Sequence, residues 1–249
     1  YVALALVFQL EFATLKHKLY IITGAGSGLG KYCTDYFSKK NKVLAIYNSS
    51  VIKNKKNLMG KKVNLENKTD IDNFFLKNKK IINDSKSITF LSFATYKEDS
   101  ILSNITEKNL KKTFNINVFA NFYFCSNLIP FMLKKKKSNI IFISSTLGLL
   151  GDKGISLYSS SKHALTGLMK SITTEFSKFN IYCNILSLGF FKSPLWYKLD
   201  IGTREKILKF SPSKKLGKKE DLLNAIIFLE KNNYMNGRYL NLDGGYGLV

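Results

Sequence analysis

Residues 19–32 read LYIITGAGSGLGKY. An apolar run stops at Thr23, glycines fall at 24, 26, 28 and 30, and a helical pattern follows. Glycine lets the chain turn sharply out of a strand and brings bare backbone close to a ligand. The N-terminus of the next helix favours negative charge. A strand, a glycine turn and a helix in this order therefore cradle a pyrophosphate.

On both sides of this stretch, short apolar runs alternate with helical patterns. Strands are expected at 18–23, 42–47, 61–64, 87–93, 139–144, 181–187 and 238–242, and helices near 29–40, 70–80, 107–136, 156–178 and 219–231. Short buried strands separated by helices imply parallel pairing through crossovers. The expected fold class is α/β: a single Rossmann-like doubly wound domain of about seven parallel strands with helices on both faces, binding ligands at the strands' carboxyl ends. Residues 15–249 are expected to form that dinucleotide-binding domain, and residues 1–14 an extension of unassigned role. Residues 189–217 are expected to be irregular and long enough to cover a site.

The chain has 249 residues, 45% of them hydrophobic, which suits a substantial core. Its formal net charge of +22 rests almost wholly on lysine, since Arg204 and Arg238 are the only arginines. Nucleic-acid readers use arginine forks, and no reading motif is present. The expectation is no nucleic-acid partner, with the charge steering anionic ligands. Cys33, Cys125 and Cys183 are too scattered for a disulfide framework or a metal site, and His17 and His163 are too few for a metal cluster. Reduced, buried thiols fit a cytoplasmic protein. The opening YVALALVFQLEF contains Glu11, is short for a bilayer span and has no basic lead, so neither a membrane segment nor a signal peptide is expected.

A second stretch, LYSSSKHAL at 157–165, sets Tyr158 and Lys162 four residues apart. On a helix they share a face. A phenol beside an ammonium is a candidate proton donor, its pKa lowered by the positive charge. Ser159, Ser160 and Ser161 between them read as small, helix-tolerant filler.

These motifs resemble the short-chain dehydrogenase/reductase family. Thr23-Gly24 followed by Gly28 and Gly30 is similar to its TGxxxGxG turn, and Tyr158 with Lys162 to its Tyr-x3-Lys pair. Ser145 stands thirteen residues before Tyr158, Asn117 sits in NINVFANF, Leu188-Gly189 with Ser193 is similar to the family's PG…T segment, and GRYLNLDGG to its C-terminal ending. The resemblance spans about residues 15–245. Three positions depart from it: Ser92-Phe93-Ala94-Thr95 replaces Asn-Asn-Ala-Gly, Asn64 replaces an acid, and Leu188 replaces proline.

The resemblance implies ketone–alcohol interconversion by hydride transfer. Tyr158 would be the acid/base, Ser145 would bind the carbonyl oxygen, and Lys162 would hold the nicotinamide ribose. Asn117 would hold a water relaying protons to Lys162. The implied cofactor contacts are Thr23, Gly24, Gly26, Ser27, Gly28, Leu29 and Gly30 in the turn. Asn48, Ser49, Asn64 and Leu65 would lie at the adenosine end; Ala94, Tyr158, Lys162, Gly189 and Ser193 would lie towards the nicotinamide. No metal is implied. The second strand ends Tyr47-Asn48-Ser49 without the acid that repels a 2′-phosphate, so NADP(H) is preferred and NAD(H) is the other candidate.

The stretch SPSKKLGKKEDL resembles one found in 3-oxoacyl-acyl-carrier-protein reductases, and in many other short-chain enzymes. A carrier-bound 3-oxoacyl thioester is thus one substrate; a sugar or other small alcohol is the alternative. Phe190, Phe191, Trp196 and Tyr197 either pack the covering segment or line an apolar substrate pocket. A catalytically inactive nucleotide-binding relative is the competing class, with the altered 92–95 segment in its favour and the Asn117, Ser145, Tyr158, Lys162 set against it. Relatives' habits imply a homo-tetramer or homo-dimer, joined through the helices near 107–136 and 156–178 and through the C-terminal GGYGLV.

Overall fold

The computed structural model describes residues 18–248. The expected extension at 1–14, the domain start at Leu15 and His17 lie outside the described residues. Among the described residues seven strands form one sheet: β1 Lys18–Thr23, β2 Lys42–Tyr47, β3 Leu58–Lys62, β4 Ser87–Ser92, β5 Ser138–Ser145, β6 Ile181–Leu188 and β7 Tyr239–Leu242. Their order is β3-β2-β1-β4-β5-β6-β7 and every pairing is parallel. The order reverses between β1 and β4, which opens a crevice at their carboxyl ends.

The helices are α1 Gly28–Phe37, α2 Lys68–Asp84, α3 Glu107–Phe114, α4 Ala120–Met132, α5 Leu147–Leu150, α6 Ser156–Phe176, α7 Pro194–Tyr197, α8 Ile201–Phe210 and α9 Lys219–Lys231. Successive strand residues face opposite sides of a sheet. Accordingly Leu19 and Ile21 join one core with α2, α4 and α6, while Tyr20 and Ile22 join another with α1 and α9. Both faces of the sheet are therefore apolar, as a parallel sheet between helix layers requires. On the first face Phe124 of α4 stacks on Phe90 of β4, ring centroids 5.2 Å apart. Burying such a side chain contributes about 2–3 kcal/mol, and this contact fixes α4 over the strand that leads into the site.

Four expectations need correction. The third strand runs 58–62 and not 61–64, with Gly60 inside it: a Cβ there would meet the Ile52 carbonyl oxygen at 2.3 Å, so only glycine admits the crossing segment. The helix expected at 107–136 is interrupted by a π turn at Asn115–Phe119 between α3 and α4. Such bulges accompany functional sites. The 189–217 segment carries two helices, α7 and α8, the latter started by Asp200 Oδ1 accepting from Thr203 N at 2.8 Å. The last strand begins at Tyr239, one residue later than expected.

Candidate active site

At the carboxyl edge of the sheet, Thr23 of β1 pairs with Ser92 of β4, and Ser145 of β5 with Leu188 of β6. The glycine turn leaves from the first of these. Gly24 has φ +65°, and a Cβ on it would come within 2.8 Å of Ala94 N. A Cβ on Gly30 would sit 2.3 Å from the Gly24 carbonyl oxygen, while Gly28, at φ +53°, has open space beside it. Ser27 is the N-cap of α1 and makes no side-chain capping bond. The first amides of α1 thus remain for an anion. Asn48 and Ser49, beyond β2, are exposed. These features fit a dinucleotide laid from β2 across the turn. Asn64 is spoken for in part: its side chain accepts from Glu66 N at 3.0 Å.

The chemistry end is assembled around α6. Tyr158 and Lys162 share a face, with the Lys162 ammonium 5.8 Å from the phenol ring centroid. Ser145 ends β5, its hydroxyl accepts from Leu147 N at 3.3 Å, and it lies close enough to the Tyr158 phenol to lower that group's pKa. Lys162 is buried and donates to the Ile143 carbonyl at 2.9 Å. Gly148 of α5 allows this packing, since a Cβ on it would meet Lys162 Cβ at 2.8 Å. Asn117 lies in the π turn, fully buried. Its amide donates to the Tyr96 carbonyl and to Ser161 Oγ, both at 2.9 Å, and its oxygen accepts from Tyr96 N at 2.7 Å. The Asn117 backbone carbonyl accepts from Asn121 Nδ2 at 2.8 Å.

The electrostatics differ from the expected tuning of Tyr158 by Lys162. Burial raises the phenol above its ordinary pKa; the polar Ser145 side chain opposes this, Tyr239 adds to it, and the Thr95 side chain opposes it weakly. The ammonium donates to the Ile143 carbonyl and is itself pushed down to about 8 by burial. Ser161 is more than filler. It is fully buried, accepts from Asn117 and donates to the Tyr158 carbonyl at 2.8 Å, joining the π turn to α6. Ser159 donates to the Leu147 carbonyl at 2.8 Å.

Several site residues were not anticipated. Asn121 accepts from Ser92 Oγ at 2.6 Å, so Ser92, Asn121 and Asn117 form one buried chain. Its spacing of four from Asn117 was a usable signal. Tyr239 reaches from β7 to the Ser145 carbonyl at 3.3 Å and to Ser144 Oγ at 3.2 Å, and nothing local in the sequence pointed to that. Gly189 lies against Asp243, where a Cβ would meet its Cα at 2.7 Å. In the covering segment Phe191 and Trp196 are buried, so they pack the segment down, whereas Tyr197 is exposed. A cavity of about 690 Å³ is lined by Lys192, Ser193, Tyr197, Lys218, Lys219 and Glu220.

A fold with this switch point, a glycine turn and a Ser–Tyr–Lys cluster define a nicotinamide-dependent oxidoreductase. The chain belongs to the short-chain dehydrogenase family, whose model matches residues 18–202; members interconvert ketones and secondary alcohols. Among curated relatives, it is 33% identical over 242 residues to the 3-oxoacyl-[acyl-carrier-protein] reductase FabG of Buchnera aphidicola subsp. Schizaphis graminum, covering 93% of this chain and 98% of that protein. The FabG of Rickettsia prowazekii is 31% identical, with 94% and 99% covered. Among solved structures, 4-hydroxyisoleucine dehydrogenase complexed with NADH superposes with a TM-score of 0.81 at 26% identity, covering 93% and 99%. The ligand-free aldohexose dehydrogenase of Thermoplasma acidophilum, 23% identical with a TM-score of 0.82 over 94% and 96%, shares the fold. No helix among the described residues is long and apolar enough to cross a membrane.

Proposed function

We propose that the enzyme reduces a 3-oxoacyl thioester to the 3-hydroxyacyl thioester with NADPH, the substrate being presented on an acidic carrier protein. The observation that carries the reading is the gathering of Ser145, Tyr158 and Lys162 at the carboxyl edge of the sheet, the edge from which the glycine turn leaves. When bound, the reduced nicotinamide supplies the hydride to the ketone carbon. The Tyr158 phenol gives its proton to the oxygen, and the Ser145 hydroxyl stabilises that oxygen as charge develops. Solvent returns a proton to Tyr158, which balances the reduction of one ketone to one alcohol. Lys162 would hold the ribose hydroxyls of a bound cofactor, and Asn117 keeps the π turn in register with α6 through Ser161.

The lack of an acid at Tyr47-Asn48-Ser49, with Lys53 exposed nearby, supports a 2′-phosphate. The three lysines of the cavity at Ser193 suit a phosphate-bearing cofactor and an acidic carrier. Exposed Phe119 and Phe122 on the π turn and α4 suit burial against a second copy, in a cytoplasmic dimer or tetramer. The test is NADPH and NADH oxidation with acetoacetyl thioesters, keto sugars and simple ketones, run beside Tyr158→Phe. Turnover of the thioester with NADPH that vanishes in the variant is expected. Turnover of a sugar or small ketone alone would replace the acyl reading, and a monomer in light scattering would remove the assembly.

A further inference from the structure

Tyr239 lies on β7, two strands away from Ser145, yet its side chain ends at the Ser145 backbone. The strand register sets Tyr239 beside Ile185 of β6, and Ile185 beside Phe142 of β5. The Tyr239 ring packs on the sheet face covered by α4 and α6. From there its hydroxyl donates to the Ser145 carbonyl at 3.3 Å and meets Ser144 Oγ at 3.2 Å. Ser145 is the last residue of β5, so its carbonyl stands where regular strand structure stops. The next residue is held from just past the end of β7. Thr146 Oγ1 donates to Asp243 Oδ2 at 3.2 Å, and Thr146 N donates to the Leu188 carbonyl at 3.0 Å. Asp243 is fixed in turn, its Oδ1 accepting from Gly245 N at 2.9 Å. β7 and the turn after it therefore grip the chain on both sides of Ser145.

We propose that Tyr239 is a positioning residue for the carbonyl reduction: its hydroxyl, bonded to the Ser145 carbonyl, holds the end of β5 so that the Ser145 hydroxyl meets the substrate oxygen. This rests on Ser145 binding that oxygen. A donor that stabilises developing charge must be in place before the charge appears. A misplacement of about 1 Å can cost much of the rate. The Ser145 hydroxyl accepts from Leu147 N at 3.3 Å, which leaves its own proton to be donated to the substrate. Where that proton points follows from where the 145–147 backbone sits. Tyrosine suits the task by its length. Neighbouring strands lie about 4.8 Å apart, so reaching the second strand over takes a side chain that long. Its ring is packed against the core, which leaves the hydroxyl little freedom of its own.

The test is Tyr239→Phe, which keeps the ring in the core and removes only the hydroxyl. Ser145-Thr146 is the only Ser-Thr pair in the chain. Protein carrying carbon-13 at serine carbonyls and nitrogen-15 at threonine amides therefore gives one correlated signal, from this peptide bond. Its carbonyl frequency should move upfield in Tyr239→Phe as the hydroxyl bond is lost. In the reduction of an acetoacetyl thioester, kcat should fall about fivefold, the size of one neutral hydrogen bond, with the NADPH Kd unchanged. The same substitution made in Ser145→Ala should cost nothing further, since no hydroxyl is left to position. An unmoved carbonyl signal, an unchanged kcat, or equal losses in the two backgrounds would overturn the proposal. Because the labelled signal needs no turnover, a moved signal in a protein that reduces no ketone would count against the functional reading and not against the hydrogen bond.

Discussion

Replacing Lys162 by methionine should change how stability depends on pH. Burial pushes the folded ammonium from an ordinary 10.5 down to about 8. The unfolded chain therefore binds this proton more tightly than the folded one. Below pH 8 the folded protein holds a charged, buried lysine at a cost of about 3 kcal/mol, and that cost falls as pH rises towards 10.5. With these two values, the native protein should gain about 2–3 kcal/mol between pH 7 and pH 10 relative to Lys162→Met. The bond from Lys162 to the Ile143 carbonyl offsets the two proteins by a fixed amount that cancels between the two pH values. The assay is urea unfolding of both proteins at pH 7 and pH 10, at one protomer concentration. Other titrating groups are common to both chains and drop out of the comparison. A stability difference that stays level across this range would refute the burial argument.

Ser161→Ala removes the link between Asn117 and α6 but leaves the Asn117 bonds to Tyr96. Its kcat should fall about fivefold, for a loss of about 1 kcal/mol, with little change in Tm. Steady-state kinetics beside a thermal melt decides this, and an unchanged kcat would count against a coupled π turn. Gly30→Ala drives a Cβ to within 2.3 Å of the Gly24 carbonyl oxygen. It should cost about 2 kcal/mol in stability and weaken cofactor binding, read by thermal unfolding and fluorescence titration. Cys33, Cys125 and Cys183 are free and buried, with burial pushing the Cys33 thiol up to about 12 and the other two upward as well. A thiol reagent at pH 8 should leave the native protein unmodified and titrate all three after denaturation.

The parts of this site that show in the sequence are those built from short-range geometry. The glycine turn is legible because strand, turn and helix are contiguous, and Tyr158 with Lys162 because a spacing of four means one helix face. The sheet is legible because strands buried on both sides read as unbroken apolar runs, as in β1 and β5. What is hidden depends on partners far along the chain. The π turn exists around an Asn117 amide bonded to Tyr96, twenty-one residues away. Tyr239 meets Ser145 across ninety-four residues. The shift of β3 follows from the close passage of Ile52 over Gly60, which no local pattern records. The upward push on the Tyr158 phenol comes chiefly from burial, and a lysine four residues away suggests the opposite sign.

The most direct test of the account is a reduction of acetoacetyl thioester with NADPH carrying deuterium at nicotinamide C4, on the face that the enzyme uses, followed by mass analysis of the product. Direct transfer to the ketone carbon, with the proton coming from Tyr158, predicts a 3-hydroxy product with one deuterium on the carbinol carbon, and none formed by Tyr158→Phe. A product formed without deuterium from either labelled face, or formed equally well by the variant, would contradict it.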